Sequence, residues 1–396
     1  MITPQDTKSV LDEAWSAWKK GDVADAQRLA TSLSETADGR HLLLLCAFVT
    51  GDYEAALGHY GAIDQSYPRF AELDEPVVEA YLHLTRYAEA ERFARARTMK
   101  RDICDTLADR NKQPLKVTLK SLTEIPFAEY PLSGYFPGFE TEIEEKKVVA
   151  HIDTGGTFLH MGTGRAEKMG IKLTKRGEGH HGTQRVDTYH GIVRSFRLGD
   201  TLLENVPIVA LPSLVDQQDF IIFGTNILEQ FVSTLDYPNK RLVLSPRNDP
   251  DLKSKHLAML PENHVQVPFH MWADHYMFAR GGVGEHRNLN FFIDSGLVSL
   301  HSDGEGGMRQ ASFLSSMDNF EKWGLNPDEV RKGVIESPVP LSLGSLEQTG
   351  LLFLAKDKEP YGLFGGIQIH GLLSHAFLKQ YTWTLDFERR RYIFGL

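Results

Sequence analysis

The chain has 396 residues, enough for two or three domains, since a domain averages roughly 150 residues. Hydrophobic residues make up 41% and charged residues 24%, which is typical of a soluble globular protein and excludes disordered, collagenous and membrane-embedded classes. The formal net charge of −10, without a cluster of Lys and Arg, argues against a nucleic-acid partner, because such a surface must neutralise phosphates.

The start of the chain, MITPQDTKSVLDEAW, lacks a basic segment followed by an apolar run. No stretch approaches the ~20 apolar residues that a membrane helix needs, so we expect no membrane partner. Cys46 and Cys104 are too few and too far apart in the chain for a disulfide framework or a zinc site. These features together predict a cytoplasmic protein.

Residues 1–112 are rich in Ala, Leu, Arg and Glu at helical spacing, which predicts an all-α domain. A small residue, a tight turn and an Ala-rich helix start recur at residues 18–26, 48–56 and 84–90. This pattern resembles tetratricopeptide repeats, in which helical hairpins stack on one another. We assign Arg86 to the position that a turn glycine holds in the first two copies. A plain helical cap with no partner is the alternative.

From about Val117 the sequence changes to short runs of Val, Ile, Phe and Thr separated by Gly and Pro, which predicts strands. Similar segments recur in two halves: residues 125–127 resemble 267–269, and residues 231–237 resemble 381–387. The repeat indicates two homologous β lobes at residues 116–248 and 258–396. The Pro- and Asn-containing segment at residues 245–257 is the predicted linker.

Each predicted lobe carries an acidic turn after an apolar strand, and later a run of two apolar residues with a small one. The turns are Asp153-Thr154-Gly155 and Asp294-Ser295-Gly296, and the later runs are Ile222-Phe223-Gly224 and Leu372-Leu373-Ser374. In this pair of motifs the chain resembles the aspartic protease family of the pepsin and retropepsin type. The resemblance covers about residues 117–396.

The resemblance implies that Asp153 and Asp294 are the two catalytic carboxyls, one from each lobe. Peptide hydrolysis needs a base to activate water and an acid to protonate the substrate, and two close carboxyls that share one proton supply both. It further implies that Thr154 and Ser295 support the pair by hydrogen bonds between the lobes. Gly155 and Gly296 would allow the close backbone approach.

Three residues depart from the family pattern. Gly156 follows the first turn, Leu297 follows the second, and Ser374 replaces the expected glycine. Ser374 bears most on activity, because a side chain at a closely packed position would displace the second turn.

A Gly-rich stretch at residues 177–191 lies where the family places a flap hairpin over the cleft. Within it we predict that Tyr189 faces the substrate; an exposed hairpin with an incidental tyrosine is the alternative. The nearby histidines lack the spacing that makes metal binding specific, so we expect no metal site and no cofactor. These histidines are His151, His160, His180, His181 and His190.

The sequence therefore predicts a multidomain α and β protein: an N-terminal all-α helical-repeat domain followed by a bilobal all-β aspartic-protease fold. The predicted activity is endopeptide hydrolysis, with a peptide or protein substrate that the helical domain recruits. Two alternatives stay open: the dyad acts in non-proteolytic acid-base chemistry on a small molecule, or the lobes form an inactive protease-like binding module.

Overall fold

The structure is a computed structural model that describes residues 4–130, 132–181, 184–215, 219–358 and 362–396. The N-terminal part is helical, and strands run from Lys116 to Gly395. This order confirms the predicted division into a helical part and a β-rich part.

The helices of the N-terminal part follow one another closely and form antiparallel hairpins. They are α1 (Pro4–Lys19), α2 (Val23–Thr31), α3 (Ala37–Thr50), α4 (Tyr53–Gly61), α5 (Asp74–His83), α6 (Tyr87–Ala96) and α7 (Arg101–Lys112), with a short 3-10 helix (Phe70–Leu73) before α5.

The first three hairpins turn at residues with positive φ: Gly21 (72°), Gly51 (87°) and Thr85 (57°). The next residue in each hairpin has nearly the same backbone conformation, with φ of −82°, −87° and −90° at Asp22, Asp52 and Arg86. The residue in the glycine position of the third copy is therefore Thr85. Our assignment of Arg86 to that position was wrong by one residue. The relation of the hairpins to tetratricopeptide repeats stays a prediction.

The first β region contains a closed barrel. Its strands are β1 (Lys116–Thr118), β2 (Thr123–Pro126), β3 (Gly138–Ile143), β4 (Lys146–Asp153), β5 (Leu159–Gly162), β6 (Thr174–His181), β7 (Gln184–Leu198), β8 (Thr201–Leu211), β9 (Ile221–Gly224), β10 (Phe231–Asp236) and β11 (Arg241–Pro246), with helices α8 (Thr163–Lys168) and α9 (Thr225–Leu228). Strand β7 pairs with both β3 and β8, which closes the path β3-β7-β8-β5-β9-β4 into a ring.

The second β region follows helix α10 (Pro250–Leu257). Its strands are β12 (His264–Trp272), β13 (Tyr276–Val283), β14 (His286–Asp294), β15 (Leu300–Ser302), β16 (Met308–Ser316), β17 (Val334–Glu336), β18 (Leu341–Leu343), β19 (Leu346–Gln348), β20 (Leu352–Lys356), β21 (Leu363–Phe364), β22 (Ile367–Gln368), β23 (Gly371–Ser374), β24 (Thr382–Asp386) and β25 (Arg391–Gly395), with helices α11 (Met317–Lys322), α12 (Pro327–Val330) and α13 (His375–Leu378).

Strand pairing repeats between the two β regions. Strand β4 pairs in parallel with β9 and β5 pairs in parallel with β8, while β14 pairs in parallel with β23 and β16 with β20. In both regions an aspartate ends the strand at the parallel pair, with Asp153 opposite Gly224 and Asp294 opposite Ser374. The repeat places the two acidic turns in the same local framework.

A continuous run of strands, β2-β11-β10-β24-β25-β12, joins the two β regions. Its centre is the antiparallel pair β10 and β24, in which Thr234 lies opposite Thr384. These two strands are the similar segments of the sequence repeat. The pairing therefore places the matching segments of the sequence repeat side by side in antiparallel register.

The helical region is docked on the second β region through a shared apolar core. Trp18 and Phe48 belong to the same buried cluster as Phe278, Phe292 and Phe364. Trp18 also donates its Nε1 hydrogen to the carbonyl oxygen of Gly365 (2.8 Å). Burial of these aromatic side chains fixes the position of the helices against the strands.

The predicted linker is partly ordered secondary structure. Strand β11 runs to Pro246, and Asp249 caps α10 by accepting a hydrogen bond from the backbone nitrogen of Leu252 (3.0 Å). Between the helical and β-rich parts, α7 ends at Lys112 and β1 begins at Lys116. The domain boundaries themselves stay predictions.

Within the described ranges, each helix is too short or too polar to cross a membrane.

Candidate active site

The two acidic turns lie against each other, and each carboxyl group contacts the glycine of the opposite turn. A Cβ atom added to Gly296 would lie 2.2 Å from Cγ of Asp153, and one added to Gly155 would lie 2.7 Å from Cγ of Asp294. Real Cβ atoms essentially never approach so closely, so a side chain at either position would displace a carboxyl group. The structure thus brings Asp153 and Asp294 together.

Thr154 and Ser295 exchange buried hydrogen bonds between the two turns. Thr154 Oγ1 donates to the carbonyl oxygen of Ile293 (2.8 Å) and accepts from the backbone nitrogen of Ser295 (2.9 Å). Ser295 Oγ accepts from the backbone nitrogen of Thr154 (3.0 Å) and donates to the carbonyl oxygen of Ile152 (3.4 Å). Because both side chains are almost fully buried, these bonds hold the two turns in a fixed relation.

Backbone N–H groups point at both carboxyls. Asp153 Oδ1 accepts from the nitrogen of Gly155 (2.8 Å), and Asp294 Oδ1 accepts from Gly296 (3.0 Å) and Leu297 (3.1 Å). These bonds fix the orientation of each carboxyl plane within its own turn.

The pKa values of the two acids are raised unequally. For Asp294, burial is the largest cause, and the negative charge of Asp153 and a hydrogen bond with it raise the pKa further, to well above the usual range. Burial also raises the pKa of Asp153, but hydrogen bonds from Gly155 and Asp294 and the charge of His275 oppose that rise. Because the negative charge of Asp153 opposes ionisation of Asp294, the two carboxyls titrate as a coupled pair.

The segment under the first turn has no room for a side chain at Gly224. A Cβ there would lie 1.8 Å from the carbonyl oxygen of Thr157. The nitrogen of Gly224 donates to the carbonyl oxygen of Phe158 (2.7 Å), and Thr225 Oγ1 donates to that of Thr154 (3.0 Å). Gly224 and Thr225 thus support the chain that follows Asp153.

Ser374, the corresponding residue of the second β region, has partners for its hydroxyl group. Its Oγ donates to the carbonyl oxygen of Ala311 (2.5 Å) and accepts from the nitrogen of Ala376 (3.1 Å) as the N-cap of α13. The side chain is fully buried, and the residue keeps the register with Asp294 that Gly224 has with Asp153.

The other two departures are also accommodated. The nearest atoms to a Cβ at Gly156 would be 3.5 Å away, on Asp153 and His160, which is ordinary contact distance. Leu297 packs against the shared core of the helical region and the second β region.

The predicted flap is a hairpin of β6 and β7, but Tyr189 lies on the face of β7 that packs against the core. Its neighbours Thr188 and His190 line the cleft, because successive side chains of a strand point to opposite faces. On β7 the residues that face the cleft are therefore Thr188 and His190, and residues 176–179 of β6 line it as well. Residues 182–183 lie outside the described residues, as do the side chains of His180 and His181.

Two of the histidines considered above, His151 and His160, have different neighbours. His151 stacks on Phe136 at 4.4 Å between ring centroids, and His160 Nε2 lies 2.9 Å from Thr157 Oγ1. In the part of the chain that the structure describes, no group of three His, Cys, Asp or Glu side chains is placed to hold a metal ion.

A cleft of ≈ 1250 Å³ begins at the first turn, at residues 155–157. Two other parts of the chain also line this cleft: helices α5 and α7, and the β12–β13 turn with Asp274 and His275. The sequence did not predict them as part of the site, because no local motif distinguishes them. His275 Nδ1 lies 2.6 Å from Asp274 Oδ1. Burial alone would raise the pKa of Asp274, but the charge and hydrogen bond of His275 lower it to about 2.

Comparison with protein families gives a match for part of the first β region. Residues 139–227 match the family model described as Aspartyl protease. The matched segment contains the Asp153 turn, the hairpin and Gly224, whereas Asp294 lies outside it. The match confirms the predicted resemblance to aspartyl proteases over these residues.

Among solved structures, the chain is similar to the crystal structure of a retropepsin-like aspartic protease from Rickettsia conorii. The two are 16% identical, the match covers 33% of this chain and 93% of that one, and the TM-score is 0.26. No curated protein sequence matches the chain.

Proposed function

We propose that this protein is an aspartic endopeptidase, in which Asp153 and Asp294 together activate water for the hydrolysis of a peptide bond. The observation that carries the proposal is the reciprocal contact of the two turns. Each carboxyl lies against the opposite glycine, and Thr154 and Ser295 are cross-bonded beneath them. This arrangement fits two carboxyls that share one proton. Two unrelated surface turns would not need such reciprocal contacts.

In the proposed reaction the pair starts with one proton, which we place on Asp294. The Asp153 carboxylate takes a proton from water as the water oxygen attacks the carbonyl carbon, while the Asp294 carboxyl donates its proton to the carbonyl oxygen. In the tetrahedral intermediate the carbon–nitrogen bond then breaks, and the proton held by Asp153 passes to the leaving nitrogen. Asp294 regains a proton from the hydroxyl group that becomes a carbonyl, so the pair returns to its starting state.

Activity requires a pair of carboxyls that holds one proton. The pH range of activity therefore lies between the pH at which the pair loses its first proton and the pH at which it loses its second. Since burial raises the pKa of both acids, this range is displaced upward from that of ordinary carboxyls, whose pKa is about 4. We therefore propose activity that extends toward neutral pH, in keeping with the proposed cytoplasmic location.

The substrate would bind as an extended peptide between two homologous lobes, with the β6–β7 hairpin on one side. The pseudo-symmetric strand run β2-β11-β10-β24-β25-β12 supports this two-lobed architecture. Extended binding would let backbone groups give affinity and side-chain pockets give specificity.

The test is the degradation of a mixed peptide library, followed by mass spectrometry, for the wild-type chain and for Asp153→Asn and Asp294→Asn. We expect both variants to lose cleavage by at least about a thousandfold, because each removes a partner in one proton-transfer unit. Asp328→Asn is the matched control, since that side chain is 83% exposed, and it should cleave like wild type. Cleavage retained in either dyad variant would contradict the proposal.

A further inference from the structure

Helices of the N-terminal region line the candidate cleft directly. Leu82 of α5 and Ile103 and Leu107 of α7 face the same cavity as Gly155 and Tyr276. Ile103 is 36% exposed, whereas Leu107 is buried. The helices thus present a group of apolar side chains beside the first catalytic turn, and charged residues line the same cavity around them: Glu79, Lys100, Asp102 and Arg110.

Helix α7 also holds the base of the β6–β7 hairpin. Arg176 of β6 donates from Nη2 to Asp109 Oδ2 (2.6 Å) and from Nη1 to Thr106 Oγ1 (3.1 Å). The Arg176 side chain is only 12% exposed. Because a charged side chain withdrawn from water is costly without its partner, this pair favours a hairpin that stays on α7.

A second contact joins α7 to the segment after the first turn. The guanidinium carbon of Arg110 lies 5.1 Å from the ring centroid of Phe158. Phe158 in turn accepts, through its carbonyl oxygen, the hydrogen bond from Gly224 that supports the turn. Helix α7 therefore contacts both the hairpin and the chain that follows Asp153.

The opposite end of the helical region is fixed to the second β region. Besides the bond from Trp18 to Gly365, Asn290 Nδ2 donates to the carbonyl oxygen of Lys20 (3.0 Å). The helices consequently span from one β region to the other, and α5 and α7 are held in place beside the cleft.

We propose that α5 and α7 form a substrate-binding wall of the active site, and that α7 clamps the flap hairpin through Arg176. The wall would select extended peptides with a large apolar side chain that packs on Leu82 and Ile103. This inference rests on the proposed function and deepens it: the helical region takes part in the active site besides any role in recruitment.

The clamp is tested by hydrogen exchange of the full-length chain, which needs no enzymatic activity. In Asp109→Asn we expect exchange at residues 174–181 and 184–190 to become about threefold faster. The substitution does not weaken the helix itself, since an acidic residue near a helix C-terminus is unfavourable.

The matched control is Asp187→Asn, which removes an ion pair of the same length, 2.6 Å to Lys175, within the hairpin. That pair is exposed and contributes little, so exchange should change less than about twofold. Hairpin exchange in Asp109→Asn that equals wild type would overturn the clamp.

The wall is tested by Ile103→Asn against library peptides that the wild type cleaves beside a large apolar residue. We expect KM to rise about tenfold with kcat unchanged, because apolar contact is lost equally in the bound substrate and the transition state. Arg101→Asn, with a side chain 91% exposed on the same helix, is the control for helix propensity and should leave KM unchanged.

An unchanged KM in Ile103→Asn would overturn the wall. If the wild type cleaved no peptide, the proposed function would fail, while the exchange comparison would still decide whether α7 holds the hairpin.

Discussion

The two acidic turns differ in sequence far more than in geometry. The first is Asp-Thr-Gly-Gly over Gly224, and the second is Asp-Ser-Gly-Leu over Ser374. Yet each aspartate ends a strand, pairs in parallel register with the supporting residue, and receives N–H bonds from its own turn.

The difference lies in what surrounds the supporting residue. At Gly224 the carbonyl oxygens of Gly156 and Thr157 occupy the space of a side chain. At Ser374 a hydroxyl group fits, because β16 presents the carbonyl oxygen of Ala311 as its acceptor. One position of the repeat thus excludes a side chain, while its counterpart uses one in a hydrogen bond.

Exchange of the two supporting residues, Gly224→Ser and Ser374→Gly, should give the largest difference in stability between the two turns. In Gly224→Ser the added Cβ must displace backbone atoms, so we expect the free energy of unfolding to fall by about 3 kcal/mol or more. In Ser374→Gly two hydrogen bonds of one hydroxyl are lost, for which we expect about 1 to 2 kcal/mol. Urea unfolding of both variants gives the measurement.

An equal loss of stability in the two variants would show that the surroundings of Gly224 and Ser374 are alike after all. A loss of peptide cleavage in Ser374→Gly at full stability would assign Ser374 a role in placing Asp294.

A smaller difference in the loss of stability is expected between Thr154→Ala and Ser295→Ala. Thr154→Ala leaves a buried carbonyl and a buried N–H unpaired at bonds of 2.8 and 2.9 Å, so the free energy of unfolding should fall by about 2 to 4 kcal/mol. Ser295→Ala removes bonds of 3.0 and 3.4 Å and should cost about 1 to 2 kcal/mol.

Thr154→Ser is the matched control, since it gives the first turn the sequence of the second and keeps the hydroxyl. It should cost less than about 1 kcal/mol by the same unfolding measurement. If Thr154→Ser were as damaging as Thr154→Ala, packing of the methyl group, and not the hydrogen bonds, would hold the turns together.

Much of this arrangement could be predicted from short motifs, because the constraints at the turns are local. Asp153 and Asp294 follow apolar strands, and the glycines two residues later are required by the approach of the opposite carboxyl. The similar segments around Thr234 and Thr384 also indicated that the halves are copies, and these strands pair in the structure.

What the sequence did not reveal depends on contacts between distant segments or on strand register. A one-residue change of register decides whether Tyr189 or its neighbours face the cleft. The partner of Ser374 comes from Ala311, 63 residues earlier in the chain, and the helical wall depends on how two regions dock. Thr85 occupies the turn position at which the other two copies have glycine. A single sequence does not show that a threonine holds this position.

We propose that Asp153 and Asp294 share one proton, and titration of the aspartate carboxyls by ¹³C NMR is the direct test. Burial and the charge of Asp153 raise the pKa of Asp294, so this group should remain protonated as the pH rises through the ordinary aspartate range. In Asp153→Asn the same titration should move to lower pH, because the neighbouring negative charge is gone. Two carboxyls that titrate in the ordinary range, each unchanged when the other is replaced, would show that Asp153 and Asp294 do not share a proton.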